Sequence, residues 1–241
     1  NAFQDAKRNV AILYSYECLM QNLQYQSNMF TVYNTLIQKG QKPLYVTDNS
    51  IDKITDCSLL VIPGNLLIKE STVDAILNYI SNGGEVIVIG ENSFSRDMYN
   101  KPLESGTLKN KVASLKSKAT VISANLLHDT PKSDFEPGAA DKIETVLNNI
   151  GLMNTRLVDK STNKTAEVEW NAVEYNGDTL ISACNYSDNS ITVTVEKDGK
   201  MRTNISDIKS NLNNLSDITL EPFVPVLLKV PSSEITISLL K

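Results

Sequence analysis

Three cysteines, one histidine and a scatter of carboxylates are the residues through which this chain of 241 amino acids could do chemistry. A cysteine attacks as its thiolate, which forms beside a histidine or at a helix N-terminus. Cys18 meets the second condition, since it follows an apolar run and opens a helical stretch. It lacks the first: the lone His128 sits beside Asp129 in a loop-like stretch with no cysteine near it in sequence. Cys18 therefore reads as a packed thiol and His128 as a surface residue. Cys57 and Cys184 lie beside or within apolar runs and read as small core hydrophobes. An odd cysteine count without paired spacing indicates neither a disulfide framework nor a zinc site.

Glu17 and Glu91 each follow an apolar run. Brought together at one sheet edge they could share general acid–base work; two unrelated loop acids are the commoner arrangement. Asp48, Asp52 and Asp56 surround no central glycine, so they read as turn and cap residues rather than calcium ligands. Gly83 and Gly84 precede an apolar run instead of opening a helix after one, which is not a dinucleotide fingerprint. No metal and no cofactor is expected. In the second half, Trp170 with Tyr175 and Tyr186 could form an aromatic platform for a sugar. Alternation against Glu169 and Asn171 makes a core position the better reading for Trp170.

The elements that must position these residues are legible in the apolar pattern. VAILYSYECLMQ (residues 10–21), LLVIPG (59–64) and GGEVIVIG (83–90) are short, rich in β-branched residues and closed by turn signals. Between them the spacing predicts helices over Tyr25 to Lys39 and Ser71 to Ser81, a short strand over Pro43 to Thr47, and a turn over Asp48 to Thr55. Such a sheet carries its site at the strand C-termini. There stand Ser15-Tyr16-Glu17, Pro63-Gly64-Asn65 and Glu91-Asn92-Ser93, which match no nucleophile elbow, phosphate loop or metal motif. Pro63, where a phosphorylated aspartate would be needed, argues against a receiver domain. Arg96 to Lys118 is polar and lysine-rich with weak periodicity; ATVISA (119–124) predicts a further strand, Leu126 to Pro137 a loop, and Gly138 to Ile150 a helix closed by Gly151.

Beyond about Leu157 the period changes to two. Asn176-Gly177 and Asp198-Gly199 predict hairpins within Glu167 to Tyr186 and between Ser190 to Glu196 and Lys200 to Ile205; Phe223 to Val230 and Glu234 to Leu240 add strands. The expected fold class is α/β: a flavodoxin-like three-layer domain over residues 1–156, then a small antiparallel β-sandwich over 157–241. RLVDKSTNKT (156–165) is read as the linker between them.

A net charge of −5 with a pI near 5.0 gives no basic footprint for nucleic acid. No apolar run approaches the roughly 20 residues of a membrane span, and no basic-then-apolar leader opens the chain. Reduced thiols complete the expectation of a cytoplasmic protein. The chain begins at Asn1 rather than Met, and a piece excised from a longer protein is expected.

Taken in order, VAILYSYECLMQ, a helix ending at Lys39-Gly40, IDKITDCSLLVIPG and an amphipathic helix running into NGGEVIV resemble the domain that follows the barrel in β-galactosidases of glycoside hydrolase family 42. That domain is similar in fold to class I glutamine amidotransferases and serves trimer formation in the family. NGDTLISACNYSDNSITVTV and ITLEPFVPVLLKV, with their Asn-Tyr-Ser and Leu-Glu-Pro, resemble the small β domain that ends many barrel glycosidases. Together the resemblances cover most of residues 8 to 230. They imply the non-catalytic C-terminal portion of a bacterial, β-galactosidase-like enzyme, serving subunit assembly and support of its own upstream barrel, with a homotrimer as the assembly. The barrel supplies both carboxylates of the retaining mechanism, so no residue here inherits those roles, and Glu91 stands near where an amidotransferase would place its cysteine. The assembly surface this reading favours is Tyr14, Tyr16, Glu17, Leu19, Met20 and Leu23, whose apolar members exceed one helical stripe. A free-standing carbohydrate-binding or accessory protein is the alternative, and an active amidotransferase or peptidase-like enzyme, needing a Cys–His contact, is the third reading.

Overall fold

The computed structural model of the chain describes residues 2–21, 23–124 and 135–231. His128 and the strand expected over Glu234 to Leu240 lie outside the described residues, as does the Leu23 side chain. The chain divides into two compact units. One comprises Arg8–Leu36 and Lys42–Leu152; the other comprises Asn1–Lys7, Ile37–Gln41 and Met153–Lys241. The first short helix, α1 (Ala2–Asp5), belongs to the second unit.

The first unit runs β1 (Val10–Leu13), α2 (Tyr16–Gln21), α3 (Leu23–Gln38), β2 (Leu44–Val46), a 3-10 helix (Asp48–Asp56), β3 (Leu59–Ile62), β4 (Leu67–Ile68), α4 (Glu70–Ser81), β5 (Glu85–Ile89), β6 (Arg96–Asp97), α5 (Thr107–Lys118), β7 (Thr120–Ile122) and α6 (Ala139–Asn149). Five strands form one parallel sheet in the order β2-β1-β3-β5-β7. Ala11 stands beside both Leu44 and Leu60, Leu60 beside Val86, and Val88 beside Val121. Every residue of β1 and β3 is buried, as expected of parallel strands covered on both faces. Ala11, Leu13, Leu60, Ile62, Val86 and Val88 share one apolar cluster with Val73, Ile76 and Tyr79 of α4 and Val112 and Leu115 of α5. The alternate residues, Val10, Ile12, Leu59, Val61, Ile87 and Ile89, are buried too; alternation turns them to the opposite face, for which α3 and α6 supply buried Met29, Val32, Leu36, Ile143 and Leu147.

Three local expectations are corrected here. The run 10–21 is one strand followed by a helix. The turn after β2 is a 3-10 helix that buries Ile54. The polar stretch before β7 contains α5, whose only buried side chains, Val112 and Leu115, are too few to make a strong periodic signal.

The second unit holds β8 (Thr155–Asp159), β9 (Lys164–Thr165), β10 (Glu169–Tyr175), β11 (Asp178–Cys184), β12 (Ile191–Lys197), β13 (Lys200–Met201), β14 (Ile205–Asp207), β15 (Leu212–Leu215), β16 (Ile218–Leu220) and β17 (Val226–Pro231). They make two antiparallel sheets, β10-β11-β17-β14-β15 and β13-β12-β8-β9, with β16 on β12. One core joins Leu157, Val193, Val195 and Leu220 of the second sheet to Trp170, Ile181, Ala183 and Leu228 of the first. Both expected turns form with positive φ at Asn176-Gly177 and Asp198-Gly199, the backbone of a type I′ hairpin. The strand expected over Lys200 to Ile205 is shorter: β13 ends at Met201, and β14 pairs in the other sheet.

The stretch 156–165 is no linker. Asp159 pairs with Lys164 and Val158 with Thr165 in a hairpin, Leu157 is fully buried, and the Asp159 carboxylate accepts the amide and hydroxyl of Ser161 in the turn. The division falls at Met153, not after residue 156, and no single cut reproduces it. Residues 37–41 join this unit because the Trp170 indole N–H donates to the Gln38 carbonyl at 2.9 Å and its ring lies 2.4 Å from where a Cβ on Gly40 would stand. α1 joins it by packing against β10.

Gly84 gives a direct test of the α/β core. A Cβ there would stand 2.2 Å from the ring of Tyr79, a buried residue whose hydroxyl donates to the Cys57 carbonyl at 3.3 Å. Gly84→Ala is expected to cost roughly 1–3 kcal/mol by overpacking, read as a lowered urea midpoint; an unchanged midpoint would refute this account of the close approach.

Candidate functional site

At β1 the sheet order reverses, with β2 on one side and β3 on the other. Open parallel sheets bind ligands outside the strand ends at such a point. The residues there come from the turn after β1 (Tyr14, Ser15), the first turn of α2 (Glu17, Cys18) and the loop after β3 (Asn65 to Leu67). Ser15 and Asn65 are buried.

The chain's own groups occupy this crevice. The Ser15 amide donates to the Tyr25 hydroxyl at 2.8 Å, and that hydroxyl donates to the Leu13 carbonyl at 3.0 Å. The Ser15 hydroxyl accepts the Cys18 amide at 3.2 Å and donates to the Glu17 carboxylate at 3.3 Å. The Cys18 thiol faces the Leu67 carbonyl at 3.9 Å and accepts the Leu67 amide at 3.5 Å. Burial pushes the Cys18 thiol up, against the weaker pull of Ser15 and the Leu67 backbone, so the position at the start of α2 does not make a thiolate. Burial likewise holds the Tyr25 phenol far above its ordinary range. Both groups stay protonated at neutral pH and act as hydrogen-bonding struts.

Glu17 and Glu91 each meet a different partner. Glu17 faces Lys69 at 3.9 Å, and Lys69 in turn faces Asp48 at 3.1 Å. Asp48 also accepts the Thr72 hydroxyl, tying the 3-10 helix to α4. Glu91, past β5, accepts the Ser123 hydroxyl, which holds its carboxyl below the usual range. Glu136 accepts the Ser123 amide and the Lys142 ammonium. Among the described residues no group of three His, Cys, Asp or Glu is arranged to hold a metal ion, and no helix is long and apolar enough to cross a membrane.

The surface expected for assembly is partly apolar. Tyr16 is 61% exposed and Met20 68%, and a spacing of four residues puts them on one face of α2. Cys18 is the buried residue of that helix, and Glu17 and Leu19 are half-buried. Tyr14 is half-buried, edge-on to Tyr45 at 6.4 Å, and Tyr45 stacks on Tyr33 at 6.1 Å. Tyr45, Tyr33 and the exposed Phe30 were not legible as surface residues, because one lies in a three-residue strand and two on a helix whose other face is core.

Trp170 takes the core position favoured for it, and the sugar platform weighed as the alternative for Trp170 and Tyr175 does not form. Trp170 is 3% exposed, and a separation of five along β10 puts the two rings on opposite faces. Tyr175 is exposed beside the β10–β11 turn.

No protein-family model and no curated protein sequence matches the chain. Solved structures do. An exo-carrageenase of family GH42 from Bacteroides ovatus matches 95% of this chain with a TM-score of 0.73 at 17% identity. Gan42B, a GH42 β-galactosidase from G. stearothermophilus, matches 93% with a TM-score of 0.66 at 12% identity. A β-galactosidase from the Antarctic haloarchaeon Halorubrum lacusprofundi matches 93% with a TM-score of 0.59 at 13% identity. The chain has the fold of a part of GH42 enzymes, as the resemblance to their C-terminal region implies. It spans 30% of the length of the first and 40% of each of the others.

The buried hydroxyl at the head of the crevice sets a pH dependence. Unfolding lets Cys18, Tyr25 and Tyr79 ionise from their ordinary values of 9.0 for the thiol and 10.0 for the phenols. Since folding raises all three, the stability they contribute is whole below about pH 8.5 and is lost as the pH rises beyond it. Tyr25→Phe should lower stability at pH 7 by roughly 1–3 kcal/mol, because the Ser15 amide is left unpaired. It should also make the alkaline decline shallower. An alkaline decline as steep in the variant as in the parent would exclude Tyr25 as its source.

Proposed function

We propose that this chain is the non-catalytic C-terminal portion of a barrel glycoside hydrolase, β-galactosidase-like, in which the α/β unit serves subunit assembly and the β-rich unit supports the catalytic barrel. The observation that carries the reading is the fold likeness to GH42 enzymes over 95% of this chain but 30% of the longer one. The strand order of the parallel sheet, second-first-third-fourth-fifth, is that of flavodoxin-like folds, and we take the unit as amidotransferase-like. Glu91 stands near the turn where an amidotransferase would place its nucleophile, and the Cys18 thiol in the crevice is kept protonated by burial.

The assembly role is supported by apolar side chains that the unit's own core does not use. Tyr16 and Met20 on α2, Phe30 on α3 and Tyr45 on the edge strand are all exposed, more than solvent-facing elements need. Closed cyclic symmetry suits a surface of one kind repeated on each subunit, and a homotrimer with the upstream barrel as a second neighbour is the arrangement proposed. Cys18, Cys57 and Cys184 are free thiols, which suits a reducing, cytoplasmic setting in a bacterial cell.

Two outcomes test this reading. The chain by itself should turn over neither p-nitrophenyl galactoside nor glutamine; hydrolysis above buffer that disappears on Glu17→Gln or Glu91→Gln would overturn it. In sedimentation equilibrium it should self-associate with concentration, and Met20→Glu should raise the dissociation constant at least about tenfold, or ~1.4 kcal/mol. A strict monomer at high concentration, in both this chain and a longer one carrying the barrel, would remove the assembly role.

A further inference from the structure

In the β-rich unit two rings stand out in water where an apolar fold has no use for them. Tyr186 is 61% exposed and Phe223 60%. Their centroids are 6.2 Å apart with the planes at 69°, so they form an open corner, one ring edge-on to the other. Phe223 holds φ at +59°, a left-handed backbone that strains a non-glycine residue. A strained backbone that exposes an apolar ring is doubly unfavourable to folding, and such strain collects at ligand sites.

The corner is also rigid, and one buried residue makes it so. Asn185 follows β11, with Pro222 bridged to it from the chain after β16. Its side-chain amide donates to the carbonyls of Asn189 at 2.8 Å and Leu220 at 3.0 Å. Its side-chain oxygen accepts the amide and hydroxyl of Ser187. Its own carbonyl accepts the Phe223 amide at 2.7 Å. Tyr186 is the next residue in the chain, so both rings are fixed from the same point. The Tyr186 phenol, hydrogen-bonded with Cys184 and close to Glu169, is held above its usual range and stays neutral. Asn-Tyr-Ser and Leu-Glu-Pro, far apart in sequence, thus meet to build one surface feature.

We infer that the Tyr186–Phe223 corner is a binding site for a neutral saccharide, one sugar ring lying with its C–H face on an aromatic face. An aromatic face carries partial negative charge that attracts polarised C–H bonds, and a fixed pair of rings spends little entropy on capture. The backbone groups of the exposed loops that carry the rings suit sugar hydroxyls. The ionisable residues of the two loops, Asp188 and Glu221, are both exposed acids, which selects uncharged sugars over sulfated or uronic ones. The site is independent of the assembly reading, whose residues all lie in the other unit.

The test is saturation-transfer NMR with titration of the full chain, using β-1,4-galactotetraose as the neutral probe. Galactose offers three contiguous C–H groups on one face. Saturable binding is expected with a dissociation constant on the order of 1 mM, with the strongest transfer to H3, H4 and H5. Tyr186→Ala and Phe223→Ala should each weaken it at least tenfold with an unchanged circular dichroism spectrum. Tyr186→Phe, which keeps the ring, should bind within about twofold of the parent. A sulfated κ-carrageenan tetrasaccharide should bind more weakly than the neutral probe. No saturable binding, alanine variants that bind as the parent does, a Tyr186→Phe loss equal to the alanine loss, or tighter binding of the sulfated sugar would each overturn the inference. So would self-association that Phe223→Ala abolishes in the absence of any sugar binding, which would assign the corner to a protein contact.

Discussion

A parallel sheet buried on both faces leaves its carboxyl edge as the place where an α/β unit can show chemistry to solvent, and here the Tyr25 hydroxyl closes that edge. It bridges the last carbonyl of β1, that of Leu13, and the Ser15 amide two residues on, while the Tyr14 amide between them donates to the Val46 carbonyl of β2. Left unpaired inside the fold, each would carry a desolvation penalty of roughly 1–3 kcal/mol. With the phenol in place, Ser15 is free to cap the Cys18 amide, and Cys18 meets both backbone groups of Leu67. The strand end, the start of α2 and the loop after β3 are thus tied into one network.

That network holds the groups at this edge in neutral or partnered forms. A nucleophile needs a charged form that its surroundings favour; Cys18 and Tyr25 lie where burial favours the neutral form. The acids at this edge are partnered with cations or hydroxyls on neighbouring elements, Glu17 with Lys69, Asp48 with Lys69 and Thr72, Glu91 with Ser123. Their arrangement positions α4 and the loop after β7, with Glu17 and Glu91 drawn to different partners. Tyr16 and Met20 of α2 stay exposed beside this network.

The β-rich unit answers to a different constraint. With period two, each strand must choose which residues enter the shared core, and Trp170 enters it, its indole N–H satisfied by the Gln38 carbonyl and its ring filling the space that Gly40 leaves open. Tyr186 and Phe223 lie just past the ends of β11 and β16, outside the alternation, and Asn185 rather than packing sets their positions. A buried polar residue with every side-chain group paired specifies one arrangement where apolar packing alone would permit several.

Much of this was determined by the sequence. The buried runs of β1, β3 and β5, the helices α3 and α4, the two Asn-Gly and Asp-Gly hairpins and the change of period all follow from local spacing, because each depends on residues within a few positions of one another. The inward Trp170 was also legible, from its alternation with Glu169 and Asn171. Local spacing could not show α5, which rests on two buried side chains, nor that residues 156–165 form a hairpin, since their polar turn looks like a linker until β8 finds β12. Nor could it assign residues 37–41 and the N-terminal helix to the β-rich unit, unite Tyr186 with Phe223, or give Cys18, already read as a packed thiol, its partner Leu67. Each of these was decided by a partner dozens of residues away, and only the folded chain sets the burial and hydrogen bonds that such a partner supplies.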